Sequence, residues 1–221
     1  MGKKIDVAPE LWECDQALIP PDGYLCGIDE VGRGPLAGNV VAACVILNLS
    51  SNPISGLNDS KKLSPAAREL LFPKILANAV AYGIGEASPE EIDRLNILNA
   101  TFLAMRRALE SMTIQPVFLL VDGNQKIPGI DLPQRTLVGG DGLSASIAAA
   151  SIVSKITRDR AMVEWDERLP EYGFARHKGY GTAEHCSVLA ERGLSSIHRR
   201  SFCSSFLTRS HEYSSYYNSP I

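Results

Sequence analysis

Four acidic residues in this chain are placed where they could do chemistry together, and they come from separate stretches of sequence. Asp29 and Glu30 are adjacent. They end the apolar run Cys26-Gly27-Ile28 and lead directly into the turn Gly32-Arg33-Gly34-Pro35. Asp122 closes the apolar stretch Val117–Val121, and Asp141 follows Gly139-Gly140 just ahead of a long alanine-rich segment. Carboxylates are hard oxygen donors that suit divalent cations. Glycines beside them let a polymer backbone come close. The combination points to metal-dependent chemistry on a phosphate-bearing substrate. Taken singly, each acid has a plainer reading: Asp29 and Glu30 as solvated loop residues, Asp122 as a turn former, Asp141 as a helix cap. Adjacent strand residues face opposite sides. Asp29 and Glu30 can therefore serve one site only if the strand ends or twists there, or if the Glu30 carbonyl takes part. A position near a helix N-terminus would favour the ionised form of Asp141.

A phosphodiester is an anion that repels hydroxide, and its leaving oxygen is a poor one. Two divalent ions about 4 Å apart would clamp the scissile phosphate, one activating water and the other stabilising the departing oxygen. Four acids held close would repel one another without such cations. This chemistry needs no protein nucleophile, so neither a Ser–His nor a Cys–His pair is required.

The elements that position these acids alternate between strand and helix. Residues 24–30 and 39–48 are apolar and β-rich, and the second run predicts a strand buried on both faces. The Gly-Arg-Gly-Pro turn between them predicts a hairpin. Ser64-Pro65 opens a helix near 65–78, with serine as cap and proline at its first position. Residues 79–87 read as a third strand. Ser88-Pro89-Glu90-Glu91 opens another helix, and Asn96–Met112 is periodic, with Ile97, Phe102, Met105 and Leu109 on one side. Val117–Val121 and Arg135–Val138 supply two more strands. The longest predicted helix runs from Ser144 to about Leu169, with Ile147, Ala148, Ile152, Ile156 and Val163 as its apolar stripe. The remainder reads as short helices and loops, and the Ser- and Tyr-rich tail after Leu207 as poorly ordered.

At 221 residues the chain fits one domain with a small appendage, and its 45% apolar content is normal for a globular core. No apolar run is long enough to span a bilayer, and no apolar segment follows Lys3 and Lys4 to make a signal peptide. Cys14, Cys26, Cys44, Cys186 and Cys203 are scattered, with no C-x-x-C pair, which suits a reducing compartment. Cys26 and Cys44 read as small core residues. The net charge of −3 does not suggest a bulk nucleic-acid binder, but all four histidines and much of the arginine fall after residue 175. That locally basic end could follow a phosphate backbone or simply be a solvated helical surface.

Seven ordered motifs resemble the type 2 ribonucleases H, specifically bacterial ribonuclease HII. They begin with Gly27-Ile28-Asp29-Glu30-Val31-Gly32-Arg33-Gly34-Pro35 and Leu57-Asn58-Asp59-Ser60-Lys61-Lys62-Leu63. Next come Val121-Asp122-Gly123-Asn124, Gly140-Asp141 leading to Ala148-Ala149-Ala150-Ser151-Ile152, and Lys155-Ile156-Thr157-Arg158-Asp159-Arg160. The series closes with Tyr172-Gly173-Phe174-Ala175 through His177-Lys178-Gly179-Tyr180, and His198-Arg199-Arg200-Ser201-Phe202. Together they cover roughly residues 24–203 and are highly specific as an ordered set.

The resemblance implies an α/β ribonuclease H-like fold, with a mixed central sheet flanked by helices. It implies a catalytic domain over 20–168 and a small helical, substrate-gripping part over 169–207, with 1–19 and 208–221 as extension and tail. The family's acidic tetrad falls on Asp29, Glu30, Asp122 and Asp141, with Mg²⁺ or Mn²⁺ as cofactor and two ions during catalysis. Asp159 is left out of the tetrad as a structural acid paired with a nearby arginine. The implied activity is hydrolysis of RNA in RNA–DNA hybrids and cleavage at single ribonucleotides embedded in duplex DNA, leaving 5′-phosphate and 3′-hydroxyl ends. Specificity then rests on the ribose 2′-hydroxyl, read by Gly32-Arg33-Gly34. Tyr180 would pack on the deoxyribose side of an RNA–DNA junction; without the resemblance it reads as a half-buried core tyrosine. Lys61 and Lys62 are either phosphate contacts or solvated lysines ahead of a helix cap. Gly139 departs from the family, where a basic residue is common. With 28 residues ahead of Asp29, the additional domain of the sister type ribonuclease HIII has no room. A monomer acting in the cytoplasm, in DNA replication and repair and away from membranes, is expected. A non-catalytic hybrid-binding protein on the same fold is the alternative, and the intact tetrad argues against it.

Overall fold

A computed structural model of the protein describes residues 9–206. The expected loose tail after Leu207 lies outside them. Five strands form one mixed sheet: β1 (Leu25–Val31), β2 (Val40–Leu47), β3 (Ala79–Ala87), β4 (Phe118–Asp122) and β5 (Gln134–Leu137), in the spatial order β3-β2-β1-β4-β5. β1, β2 and β3 form an antiparallel meander, and β1–β4 and β4–β5 are parallel. The predicted hairpin is therefore present, and β2 is buried along its whole length.

The helices are α1 (Pro9–Gln16), α2 (Pro65–Asn78), α3 (Pro89–Leu95), α4 (Ile97–Glu110), α5 (Ala145–Arg168), α6 (Phe174–His177) and α7 (Ala183–Arg192). Their starts follow the expected capping chemistry. Ser64 and Ser88 accept from Ala67 and Glu91 backbone N–H groups with proline next in line, and Glu91 completes a capping box. The long periodic segment begins one residue later than expected. Asn96, at φ 66°, turns the chain sharply and caps α4 through the Asn99 N–H.

Alternation along the strands divides the core. On one sheet face Cys26, Ile28, Ala42, Cys44 and Val121 meet Phe102, Met105 and Leu109 of α4. On the other, Ala43, Val45 and Leu47 meet Ala148, Ala149 and Ile152 of α5, together with α1 and α2. Cys26 and Cys44 are indeed core residues. Val163, expected in the α5 stripe, is instead exposed, because the sheet ends before that turn of the helix and Met162 takes the inward position. α1 has no counterpart in the sequence reading. It docks through Trp12 Nε1, which donates to the Leu49 carbonyl (3.2 Å), and through Asp15, whose Oδ2 accepts from Ser146 N–H at the start of α5 (2.7 Å).

α5 lies unusually close to β1. A Cβ on Gly27 would stand 2.1 Å from the Ser146 carbonyl carbon and 2.3 Å from the Ile147 nitrogen, both backbone atoms that cannot step aside. Gly27→Ala should force α5 off the sheet and cost about 3 kcal/mol of stability, the upper range for overpacking. Urea denaturation measures this, and a loss below about 1 kcal/mol would mean the helix can move at little cost.

Candidate active site

β1 and β4 run parallel with Ile28 opposite Val121, so one step further along sets Asp29 beside Asp122 at the carboxyl ends of both strands. The adjacency question for Asp29 and Glu30 resolves around Asp122. Asp29, only 5% exposed, faces α5. Ser151 lies against its carboxyl and partly offsets the upward shift of its pKa, and Asp29 Oδ1 accepts from the Glu30 N–H at 2.7 Å. Glu30 points to the other side, into a cleft lined by Asp122, Asn124, Thr101 and Arg33. Asp122 sits between them, and its charge raises the pKa of each.

Asp141 lies in a short 3-10 turn, Gly140–Gly142, that is tied to β4 by the Gly140 N–H donating to Asp122 Oδ1 (2.7 Å). That bond spans 18 residues, so Asp122 joins two elements and is more than a local turn former. The cap of α5 is Ser144, which accepts from Ile147 N–H, so Asp141 is free of the capping role. Asp141 was expected to be ionised by the helix terminus. Burial works against that tendency, pushing its carboxyl up from the ordinary value by more than the Lys61 ammonium lowers it. Lys61 Nζ stands 3.3 Å from Asp141 Oδ2, and Lys62 Nζ 3.7 Å from Asp59 Oδ2. Both lysines are thus exposed at the rim, each set over one acid.

Electrostatically the site is an accumulation of negative charge in a dry place. Burial, then Glu30 and Asp122, hold Asp29 well above the carboxylate range. Burial also raises Glu30, against the opposing pull of Arg33, whose Nη1 is 3.3 Å from Glu30 Oε1. Lys61 is raised, because Asp141, Asp29 and Asp59 outweigh its own desolvation. The donor set is all oxygen, buried and short of positive charge, and an ammonium already sits against one member. It is therefore chemically suited to divalent cations. Among the described residues no three acidic, histidine or cysteine side chains converge closely enough to make a ready-formed ion cage.

The Gly-Arg-Gly turn is held from behind. Arg199, fully buried, spends its guanidinium on backbone carbonyls: Gly32 (2.6 Å), Arg33 (3.1 Å), Pro35 (2.8 Å) and Gly38 (2.9 and 2.7 Å). Arg158, also buried, bonds the carbonyls of Ala37, Asn39 and Lys178. Gly32 adopts φ 92°, and a Cβ there would strike Arg158 Nε at 2.3 Å. Gly34 is open, with the Tyr180 ring as its nearest neighbour at 4.0 Å. Tyr180 is 42% exposed, so the two motifs expected to read substrate form one accessible surface.

Several residues of this site were not singled out from sequence. Asp59 lies beside Asp141, with its Oδ1 accepting from the Lys61 N–H at 2.8 Å. Burial pushes Asp59 up, but the Lys61 N–H and Asp141 outweigh it and the net shift is down. Ser151, besides Asp29, meets Ser60 Oγ at 2.7 Å. Arg158 and Arg199 lie inside the ribonuclease HII-like motifs without a role read from sequence, because their carbonyl partners are more than a hundred residues away or on another element. Asp159, expected to pair with an arginine, pairs instead with Lys155 at 2.6 Å, one helical turn away.

This architecture is that of a ribonuclease H-type nuclease. Among solved structures, the chain resembles ribonuclease H2 from Pyrococcus horikoshii OT3, with a TM-score of 0.71 and 25% identity over 86% of this chain and 99% of that one. It resembles the ribonuclease HII chain of a PCNA complex from Archaeoglobus fulgidus less closely, at TM-score 0.65, with 25% identity over 80% of this chain and 93% of that one. The profile of the family Ribonuclease HII matches residues 26–205. Ribonuclease HII of Delftia acidovorans is 55% identical over 190 residues, 85% of this chain and 80% of that protein. That of Shewanella amazonensis is 52% identical, covering 85% and 90%. The chain belongs to the ribonuclease HII family, and is a metal-dependent endoribonuclease of the ribonuclease H type, acting on RNA–DNA hybrids.

The raised pKa of Asp29 has a consequence for stability. Above the ordinary carboxylate value of 3.8 the unfolded chain has released this proton while the native state still holds it. Stability therefore falls as pH rises from 3.8 towards the raised native value, and the charged form is a burden at neutral pH. In EDTA at pH 7.5, Asp29→Asn should raise Tm by a few degrees, each kcal/mol being about 2–4 °C in a domain of this size. An unchanged or lower Tm by calorimetry would count against the electrostatic picture.

Proposed function

We propose that Asp29, Glu30, Asp122 and Asp141 hold two divalent cations, Mg²⁺ or Mn²⁺, and that the protein cleaves RNA strands hydrolytically, leaving 5′-phosphate and 3′-hydroxyl ends. The observation that carries this reading is the meeting of Asp29, Glu30 and Asp122 at parallel strand ends, with Asp141 fastened to Asp122 through Gly140. Bound cations would supply Lewis acidity, activating water and stabilising the charge that builds on the leaving oxygen. The side chains do the rest. Asp122, charged on both flanks, is the shared ligand. Ser151 and the Glu30 N–H fix the Asp29 carboxylate. Lys61 stands over Asp141 and neutralises charge at the entrance, where a substrate phosphate would arrive.

Substrate choice falls to the turn and the tyrosine. Arg199 occupies the carbonyls of Gly32 and Arg33, which keeps the turn in one shape against an incoming 2′-hydroxyl. Tyr180, beside Gly34, offers an exposed aromatic face to the deoxyribose that follows a ribonucleotide. On this reading the protein cleaves 5′ to single ribonucleotides embedded in duplex DNA as well as in long hybrids. The segment 169–207 grips duplex beyond the site, and the protein works as a cytoplasmic monomer in replication and repair.

Asp29→Asn should cut cleavage by more than about a hundredfold while hybrid binding survives. EDTA should have the same effect, reversed by added Mg²⁺ or Mn²⁺. Full activity in the variant, or activity persisting in EDTA, would sink the mechanism. Tyr180→Ala should lower cleavage at a lone ribonucleotide in DNA by roughly tenfold, consistent with loss of one stacking contact, and by clearly less on an all-RNA hybrid. Equal losses on the two substrates would remove the junction-reading role.

A further inference from the structure

Three histidines are buried together behind the loop that carries Tyr180. His177 and His185 stack with ring centroids 4.2 Å apart, His198 lies 5.2 Å beyond, and the rings of Tyr172 and Phe174 pack around them. Their partners fix where the protons are. Nδ1 of His198 faces the backbone N–H of Ser195 at 2.9 Å. A backbone N–H can only donate, so this nitrogen is bare, and a neutral ring then carries its proton on Nε2. That N–H points at Nε2 of His185, 2.9 Å away, which must accept. The one remaining proton of His185 is on Nδ1, 2.9 Å from the Tyr180 carbonyl, which can only accept. The chain of donors therefore runs from Ser195 through His198 and His185 to the backbone of Tyr180, and every member is satisfied only when both rings are neutral.

The surroundings favour that state. Burial first, and then the neighbouring imidazoles, push His198 down to about 4, and burial likewise lowers His185. The polar groups facing the pair are His177, Glu184, Ser195 and the Tyr172 ring. His177 braces the same loop independently: its Nδ1 accepts from Gly179 N–H at 3.2 Å while Nε2 donates to the Tyr172 carbonyl at 2.8 Å.

We propose that His185, set in place by His198 and Ser195, is a positioning residue for Tyr180. By fixing the Tyr180 carbonyl it fixes the direction of the ring beside Gly34, so reading of the RNA–DNA junction depends on buried side chains behind the reading surface. The functional half of this proposal rests on the junction-reading role of Tyr180.

The test has two independent readouts, made on the full chain with His185→Phe, which keeps ring volume but cannot donate. A second variant, His185→Asn, has an amide that can take the place of Nδ1 and donate to the same carbonyl. By hydrogen exchange, His185→Phe should raise exchange of the 178–182 amides roughly tenfold, the scale of one lost hydrogen bond, with β1 and β4 unaffected, and His185→Asn should restore protection. Unchanged protection in 178–182 overturns the proposal. In cleavage assays, His185→Phe should lower kcat/KM at a lone ribonucleotide about tenfold, more than on an all-RNA hybrid. The double variant with Tyr180→Ala should be no worse than Tyr180→Ala alone, because the two act through one contact. Losses that add in the double variant overturn the positioning role. If Tyr180→Ala alone affects both substrates equally, the tyrosine reading fails, and the exchange experiment still decides whether the relay holds the loop.

Discussion

The structure is organised around an unfavourable interaction. Asp29 and Glu30 are buried beside Asp122, and burial first, then the neighbouring negative charge, raises the proton affinity of both. Left to itself such a group would spread apart or draw in solvent. The β1–β4 pairing prevents the first, since the carboxylates sit at the ends of strands fixed by a parallel ladder. The alanine run of α5 prevents the second. Ala148, Ala149 and Ala150 let the helix close on the sheet, Gly27 removes the last obstacle, and Ser151 arrives against Asp29 as a result. Strain of this kind clusters at functional sites, and it suits the cation binding proposed above.

Buried charge elsewhere in the molecule is handled in the opposite sense. Arg158 and Arg199 are buried guanidiniums, yet the hydrogen bonds they make go to backbone carbonyls and not to the nearby acids. Burial and the proximity of Arg158 bring Arg199 down to about 9, which shows how little negative charge compensates it. Pairing these arginines with Asp29 or Glu30 would relieve both, and it would also extinguish the negative field that attracts a divalent ion. Keeping these two arginines away from the acids, on peptide carbonyls instead, preserves that field and uses the arginines to shape the turn.

What was legible in the sequence follows from locality. The strands, the hairpin and the serine-proline helix starts are decided by neighbours in the chain, and they appeared within a residue or two of their expected bounds. The acids were legible because each ends an element. Their coming together was not a matter of spacing; it depended on the β1–β4 register, which the motif order could imply but local sequence could not show. Asp59, Ser151 and the two arginines were invisible as site residues because their roles are defined by partners far along the chain. α1 was missed for a related reason: its short, weakly amphipathic stretch is helical because Trp12 and Asp15 dock on Leu49 and Ser146.

The same non-local contacts bear on how the chain divides. A boundary at residue 168 looks natural from the end of α5, but the contacts cross it throughout. Ala37 pairs with His198 as an isolated β-bridge, Arg199 N–H donates to the Leu36 carbonyl, Gly38 N–H to Ile197, and Leu36 N–H to Gly179. Ala37 and Met162 share a core with Phe174, Leu189 and Ile197. The segment after α5 is therefore the other half of the Gly-Arg-Gly turn, and the turn would have no defined shape without it. The acids could assemble from the sheet and α5, but the surface formed by Gly34 and Tyr180 exists only where the two stretches meet. On the proposed function, chemistry is thus a property of the sheet, whereas recognition is a property of the seam between the sheet and the C-terminal segment. Substitutions in the seam should therefore change substrate preference before they change the chemical step.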